Sequence, residues 1–125
     1  MQVTINFAAD PEEAIGVWTS ATALQFLVSA VDVTGLHAIT EPVVVEHEEK
    51  DALLHIDGHV IIAESHIHVT LLPEIGRGFA DVFSCMDVEA GKVSGLIVDL
   101  FSADQYTEIS TRGLPDNEAR GQQVP

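Results

Sequence analysis

The sequence predicts an α+β fold, a two-layer α/β sandwich in which two helices cover one face of a largely antiparallel sheet. Two observations point there. Helical and strand periodicities follow one another in the order strand, helix, several strands, helix, strand, and turn residues divide the strand-rich middle into short pieces. A chain of 125 residues and 13.4 kDa can bury one modest core but not two. One domain is expected over residues 1–112, with a disordered tail over 113–125.

Val3, Ile5 and Phe7 alternate with Thr4 and Asn6, the period of a half-buried strand, expected here at a sheet edge. Asp10-Pro11-Glu12-Glu13 reads as a helix start, with an acidic N-cap, proline in the first turn and Glu13 placed for a capping box. Ala14, Val17, Trp18, Ala21, Leu24, Val28 and Val31 recur at helical spacing, which predicts one helix with that face on the sheet and Gly35 ending it.

After Pro42 the chain turns to short β-rich pieces at Val43-Val44-Val45, Ala52 to Ile56, His59 to Ala63, His66 to Leu72 and Phe79 to Phe83. Asp57-Gly58 is a strong hairpin signal between two of them. A second helix is predicted from Asp87 to Phe101, where Val93, Leu96, Ile97, Leu100 and Phe101 share a face; Gly91 and Gly95 weaken it. Tyr106 to Ser110 forms a last strand. The tail has almost nothing to bury.

The formal charge of -15, from 20 acidic against 5 basic residues, argues against nucleic acid and anionic membranes as partners, since both need cationic surface. Small cationic ligands are favoured instead. No apolar run approaches the ~18 residues of a bilayer span, and Met1-Gln2-Val3-Thr4 lacks a basic leader region. A single cysteine, Cys85, forms no internal disulfide, so a reducing, cytoplasmic setting is expected.

Three short words carry the chemistry: Ala63-Glu64-Ser65-His66-Ile67, Pro73-Glu74, and the Asp81-Val82-Phe83-Ser84-Cys85 run. At these offsets they resemble the prokaryotic S-adenosylmethionine decarboxylase proenzymes. The resemblance implies self-cleavage between Glu64 and Ser65. Ser65 would attack the preceding carbonyl, the resulting ester would eliminate, and the dehydroalanine would hydrolyse to a pyruvoyl group and ammonia. The pyruvoyl cofactor at Ser65 then serves as the electron sink, through a Schiff base with the substrate amine, in polyamine biosynthesis.

The resemblance also implies that Cys85 protonates the carbanion left after carbon dioxide departs, a role open to a thiol with an ordinary pKa of about 8.5. It gives Glu74 to substrate binding. Members of the family pair their protomers, so a homodimer is expected. The chain departs from the family at three places. The histidine used in processing is Thr70 here, a helper serine is Asp57, and the aromatic residue before Pro73 is Leu72.

Strand alternation puts positions 66, 68 and 70 on one face, so His68 points the same way as the missing histidine and is the candidate replacement in processing and catalysis. Asp57 could accept a proton or orient a hydroxyl. The loss of an aromatic surface at Leu72 also admits smaller basic substrates such as arginine or ornithine. Two alternatives stay open: an uncleaved relative that binds a ligand or partner, and a metal-binding protein using histidines among His55, His59, His66 and His68.

Overall fold

The computed structural model describes residues 1–63 and 65–112, so the expected disorder of 113–125 lies outside the described residues. The order of elements is β1 (Gln2–Ala8), α1 (Pro11–Val17), α2 (Ser20–Thr34), β2 (Val43–Glu48), β3 (Leu54–Ile62), β4 (Ser65–Leu72), a 3-10 turn (Pro73–Ile75), β5 (Arg77–Phe83), α3 (Ala90–Phe101) and β6 (Gln105–Thr111). The strands form one six-stranded sheet in the order β2-β3-β4-β5-β1-β6. Every pairing is antiparallel. The predicted two-layer class holds, with three helices rather than two.

The extra helix arises at Trp18. Thr19 caps α2 by accepting the Thr22 N–H at 3.2 Å, and the Thr22 hydroxyl accepts the Thr19 N–H at 2.8 Å, a complete capping box that restarts the helix. Trp18 leaves helical geometry, and its indole N–H donates to the Phe101 carbonyl at 2.7 Å, supplying a partner for a carbonyl at the end of α3. The two helices meet at 76°. The restart shifts the helical phase, so Ala23, Phe26, Leu27 and Ala30 are buried while the predicted face residues Leu24 and Val28 are exposed. Asp10 caps α1 through the Glu12 N–H at 2.9 Å rather than in a box with Glu13.

Two further expectations are corrected. β1 is not an edge strand: it lies between β5 and β6, its Val3, Ile5 and Phe7 buried at the centre of the core. Asp57-Gly58 is not a turn: β3 runs straight through it, paired with β2 on one side and β4 on the other. Glycine is used there for close approach. A Cβ on Gly58 would lie 3.0 Å from Leu27 Cδ1 of α2 and 3.3 Å from Val44. Phe7, Trp18 and Phe101 form the aromatic centre beneath the helices, with Phe7 stacked on Phe101 at 5.4 Å.

Alternation along the strands sorts side chains into a covered and an open face. Ile56, Val60, Ile67, Val69, Leu71, Ala80 and Val82 meet the helices and are buried. The open face carries the histidines at 47, 55, 59, 66 and 68 together with Asp57, Thr70 and Asp81.

Candidate active site

Ser65 is the first residue of β4 and pairs with Ile62, the last of β3, so the connection between these strands falls at residues 63–64. Glu64, the expected partner in cleavage, lies outside the described residues. The β4–β5 ladder ends at the pair His66 and Phe83. Beyond it the chain after β5 runs on beside Ser65, and the Cys85 N–H donates to Ser65 Oγ at 3.1 Å. Two contacts hold this bend: the Ser84 N–H donates to the Met1 carbonyl at 2.8 Å, and Ser84 Oγ accepts the Met86 N–H at 3.0 Å. Ser65 is nearly enclosed, whereas Cys85 is exposed.

A backbone N–H aimed at a serine oxygen orients the hydroxyl and stabilises negative charge that develops on it. The pair brought together by the fold therefore consists of a positioned hydroxyl at a strand start and the backbone of Cys85, whose side chain is exposed.

His68 is placed elsewhere. Ser65 has the parity of Ile67 and Val69 on the covered face, while His66, His68 and Thr70 project from the open one. His68 shares the open face with Thr70, as expected, and within one chain it does not face Ser65. Its Nε2 lies 3.6 Å from Asp57 Oδ1. Asp57 and Thr70, the two positions at which the chain departs from the processing pattern, are directly opposite each other on β3 and β4. The Thr70 hydroxyl donates to Asp57 Oδ1 at 2.5 Å, and His47 bonds Asp57 Oδ2.

The charges in this group follow from those contacts. The hydrogen bond to Asp57 raises the pKa of His47, helped by Glu49, against partial desolvation. Desolvation pushes the Asp57 carboxyl up, but the Thr70 hydroxyl and His47 outweigh it and hold the group below its ordinary value. Asp57 is thus an ionised acceptor and not a proton donor.

Glu74 sits past the far end of β4, where its Oε1 accepts the Leu54 N–H at 2.9 Å. Seven residue steps separate Ser65 from Leu72, about 23 Å along a strand. One chain does not bring Glu74 to Ser65. A further polar unit went unread in the sequence: His66 Nε2 lies 3.1 Å from Asp81 Oδ2 and its ring stacks on Phe83 at 5.8 Å. The two-residue spacing of Asp81 and Phe83 was its only signal.

The fold and these residues define a small α+β sandwich protein with a serine–cysteine pair at one end of its sheet. Residues 6–112 match the family model described as S-adenosylmethionine decarboxylase, and the chain belongs to that family, whose enzymes depend on a pyruvoyl group. It is 35% identical over 60 residues to the S-adenosylmethionine decarboxylase proenzyme of Bacillus velezensis. That alignment spans 47% of this chain and 48% of the relative, about half the length of each. The crystal structure of the adenosylmethionine decarboxylase from Aquifex aeolicus shares the fold, with a TM-score of 0.62 at 18% identity over 92% of this chain and 91% of that one.

Proposed function

We propose that the chain is the proenzyme of a pyruvoyl-dependent decarboxylase that cleaves itself between Glu64 and Ser65. Its substrate is S-adenosylmethionine or, as the second choice, a basic amino acid such as arginine or ornithine. The observation that carries this reading is the 3.1 Å contact from the Cys85 N–H to Ser65 Oγ at the start of β4. A held hydroxyl attacks the preceding carbonyl from short range, and the amide fixes that hydroxyl and eases loss of its proton as the acyl group moves from nitrogen to oxygen. A pyruvoyl group at position 65 supplies an electron-accepting carbonyl for decarboxylation. Cys85, exposed beside it, delivers a proton to the substrate carbon. The net charge of -15 favours a sulfonium or other cationic substrate. The single cysteine suits a cytoplasmic setting.

The remaining helpers lie on the open face, apart from Ser65 within one chain. A homodimer accounts for this arrangement if the Asp57–Thr70 unit of a second copy reaches the Ser65 end of the first. On that face His68, 3.6 Å from the ionised Asp57, is the base proposed to remove a proton from the Ser65 Cα during elimination, with Asp57 orienting it. The alternative is an uncleaved relative that binds a ligand or partner, favoured by the complete hydrogen bonding of Asp57 to Thr70 and His47.

Intact mass and a denaturing gel decide between the two. Fragments 1–64 and 65–125 are expected, the second bearing a carbonyl that reacts with a hydrazine, and Ser65→Ala should stay whole. A wild-type chain that persists at full length on prolonged incubation overturns the decarboxylase reading.

A further inference from the structure

The β2 edge of the open face carries a side-chain group that includes Asp57 and extends beyond what self-cleavage and decarboxylation use. His47 on β2 and His55 on β3 are a cross-strand pair, and their rings stack at 5.2 Å with 25° between planes. Asp57 follows two residues along β3 on the same face. One ligand atom from each of His47, His55 and Asp57 lies within 4.8 Å of the others. Among the described residues this is the three-ligand group the fold assembles, and it shares only His55 with the histidines singled out from the sequence.

The surroundings aim these atoms. His47 Nδ1 lies 2.8 Å from Glu49 Oε1, so the ring gives a hydrogen to that carboxylate and turns Nε2 toward Asp57 Oδ2. Asp57 Oδ1 is occupied by the Thr70 hydroxyl, which leaves Oδ2 as the inward oxygen. In the bare protein a hydrogen bond joins His47 Nε2 to Asp57 Oδ2, and a metal ion would take the place of its proton. A carboxylate behind a histidine that points its other nitrogen inward is the usual outer sphere of a bound metal. His55 Nε2 is similarly held 3.1 Å from Asp51 Oδ2.

We propose that His47, His55 and Asp57 bind a borderline divalent transition-metal ion, for which Zn²⁺ is the probe. Two imidazoles and one carboxylate favour such ions over Mg²⁺ or Ca²⁺, which take all-oxygen shells. Ligand atoms around a tetrahedral Zn²⁺ lie about 3.4 Å apart with bonds near 2.1 Å, so His47 and Asp57, now in direct contact, must open to admit the ion, while the His55 ligand atom, within 4.8 Å of both, closes by up to about 1.4 Å. His47 and Asp57 are about one-third exposed, at 34% and 31%, which leaves their side chains room to rotate and leaves the remaining coordination positions open to solvent. Glu49 and Asp51 raise the local cation concentration. The site stands whether or not Ser65 is cleaved.

The test is calorimetric titration of Zn²⁺ into the full chain after chelator treatment, with Co²⁺ followed by visible absorption. One ion per chain with a Kd in the micromolar range or tighter is expected, with no comparable heat from Mg²⁺. His55→Ala and Asp57→Ala should weaken binding by about 100-fold, and Glu49→Gln by roughly 10-fold. His59→Ala and His66→Ala, outside the group, should bind as wild type. So should Ser65→Ala, which separates this site from the maturation chemistry. Circular dichroism establishes that each variant is folded. If the triad variants do not fold, the wild-type Co²⁺ spectrum decides: intense bands of a low-coordinate nitrogen-ligated ion support the site, and the weak bands of hydrated ion overturn it. Loss of binding in the His59 or His66 variants equal to that in His55→Ala, or no uptake at about 100 µM Zn²⁺, far above a micromolar Kd, also overturns it.

Discussion

The contact at Ser65 is made by the backbone amide of Cys85 and not by its thiol, and this separates two roles that one residue would otherwise mix. Self-cleavage should use the amide, and turnover should use the sulfur. Cys85→Ala keeps the donor, so the chain is expected to cleave at close to the wild-type rate while decarboxylation falls steeply. Cys85→Pro removes the N–H and should slow cleavage by roughly 10- to 100-fold, the loss expected when one hydrogen bond to a developing charge disappears. Time courses of fragment appearance on gels, with circular dichroism to verify folding, check both. Equal cleavage of the two variants would mean that the amide has no part. The pairing of Ser65 with Cys85 was legible in the sequence because their offset survives as two neighbouring strand ends. His68 shares its face with Thr70 as strand alternation requires, but its three-residue offset from Ser65 reverses the face, so one chain does not bring the two together.

At the level of elements, local signals were readable wherever tertiary contacts agreed with them, and they failed where packing overruled them. Val3, Ile5 and Phe7 announced β1, but nothing in them tells a central strand from an edge. Asp57-Gly58 has the chemistry of a tight turn, yet α2 lies over β3 so closely that a residue without Cβ is needed beneath Leu27. That reading makes opposite predictions for two glycines. Gly58→Ala should cost about 1–3 kcal/mol through overpacking against Leu27 and Val44, lowering the melting temperature by roughly 4–8 °C or more. Gly16→Ala in α1 meets nothing within 4 Å and should stabilise by up to about 1 kcal/mol, because alanine restricts the unfolded chain and favours helix. Thermal melts of the two variants side by side test this. A neutral Gly58→Ala would return the position to a conformational role. The split of the first helix was missed for a related reason: the Thr19–Thr22 box is written in the sequence, but only the Phe101 carbonyl explains why Trp18 leaves the helix there.

For the whole molecule, the open face of the sheet is the feature in need of an account. An antiparallel sheet covered on one side ordinarily shows polar residues on the other. Here Val43, Val45, Ile61, Phe79, Phe83 and Ile109 project from the uncovered face, each between 42% and 60% exposed, on strands from β2 at one edge to β6 at the other. A second copy meeting this face about a two-fold axis would bury each patch against its twin. It would also carry each Asp57–Thr70 unit over to the other chain. Phe79→Asp and Ile61→Asp are therefore expected to halve the mass measured by light scattering, and to stop self-cleavage along with pairing. The sharper check is complementation. Ser65→Ala has no cleavable serine, and Asp57→Ala lacks the carboxylate proposed to orient the base, so each alone should stay whole. When the two are co-expressed and pair at random, half the dimers are mixed, and each mixed dimer holds one site with both Ser65 and Asp57 intact. About a quarter of all chains, every one an Asp57→Ala chain, should then be cleaved. Cleavage of Asp57→Ala by itself would remove Asp57 from the maturation step. Failure of the mixture to cleave, with mixed dimers demonstrably present, would confine the site to a single chain and require another residue of that same chain to act on Ser65.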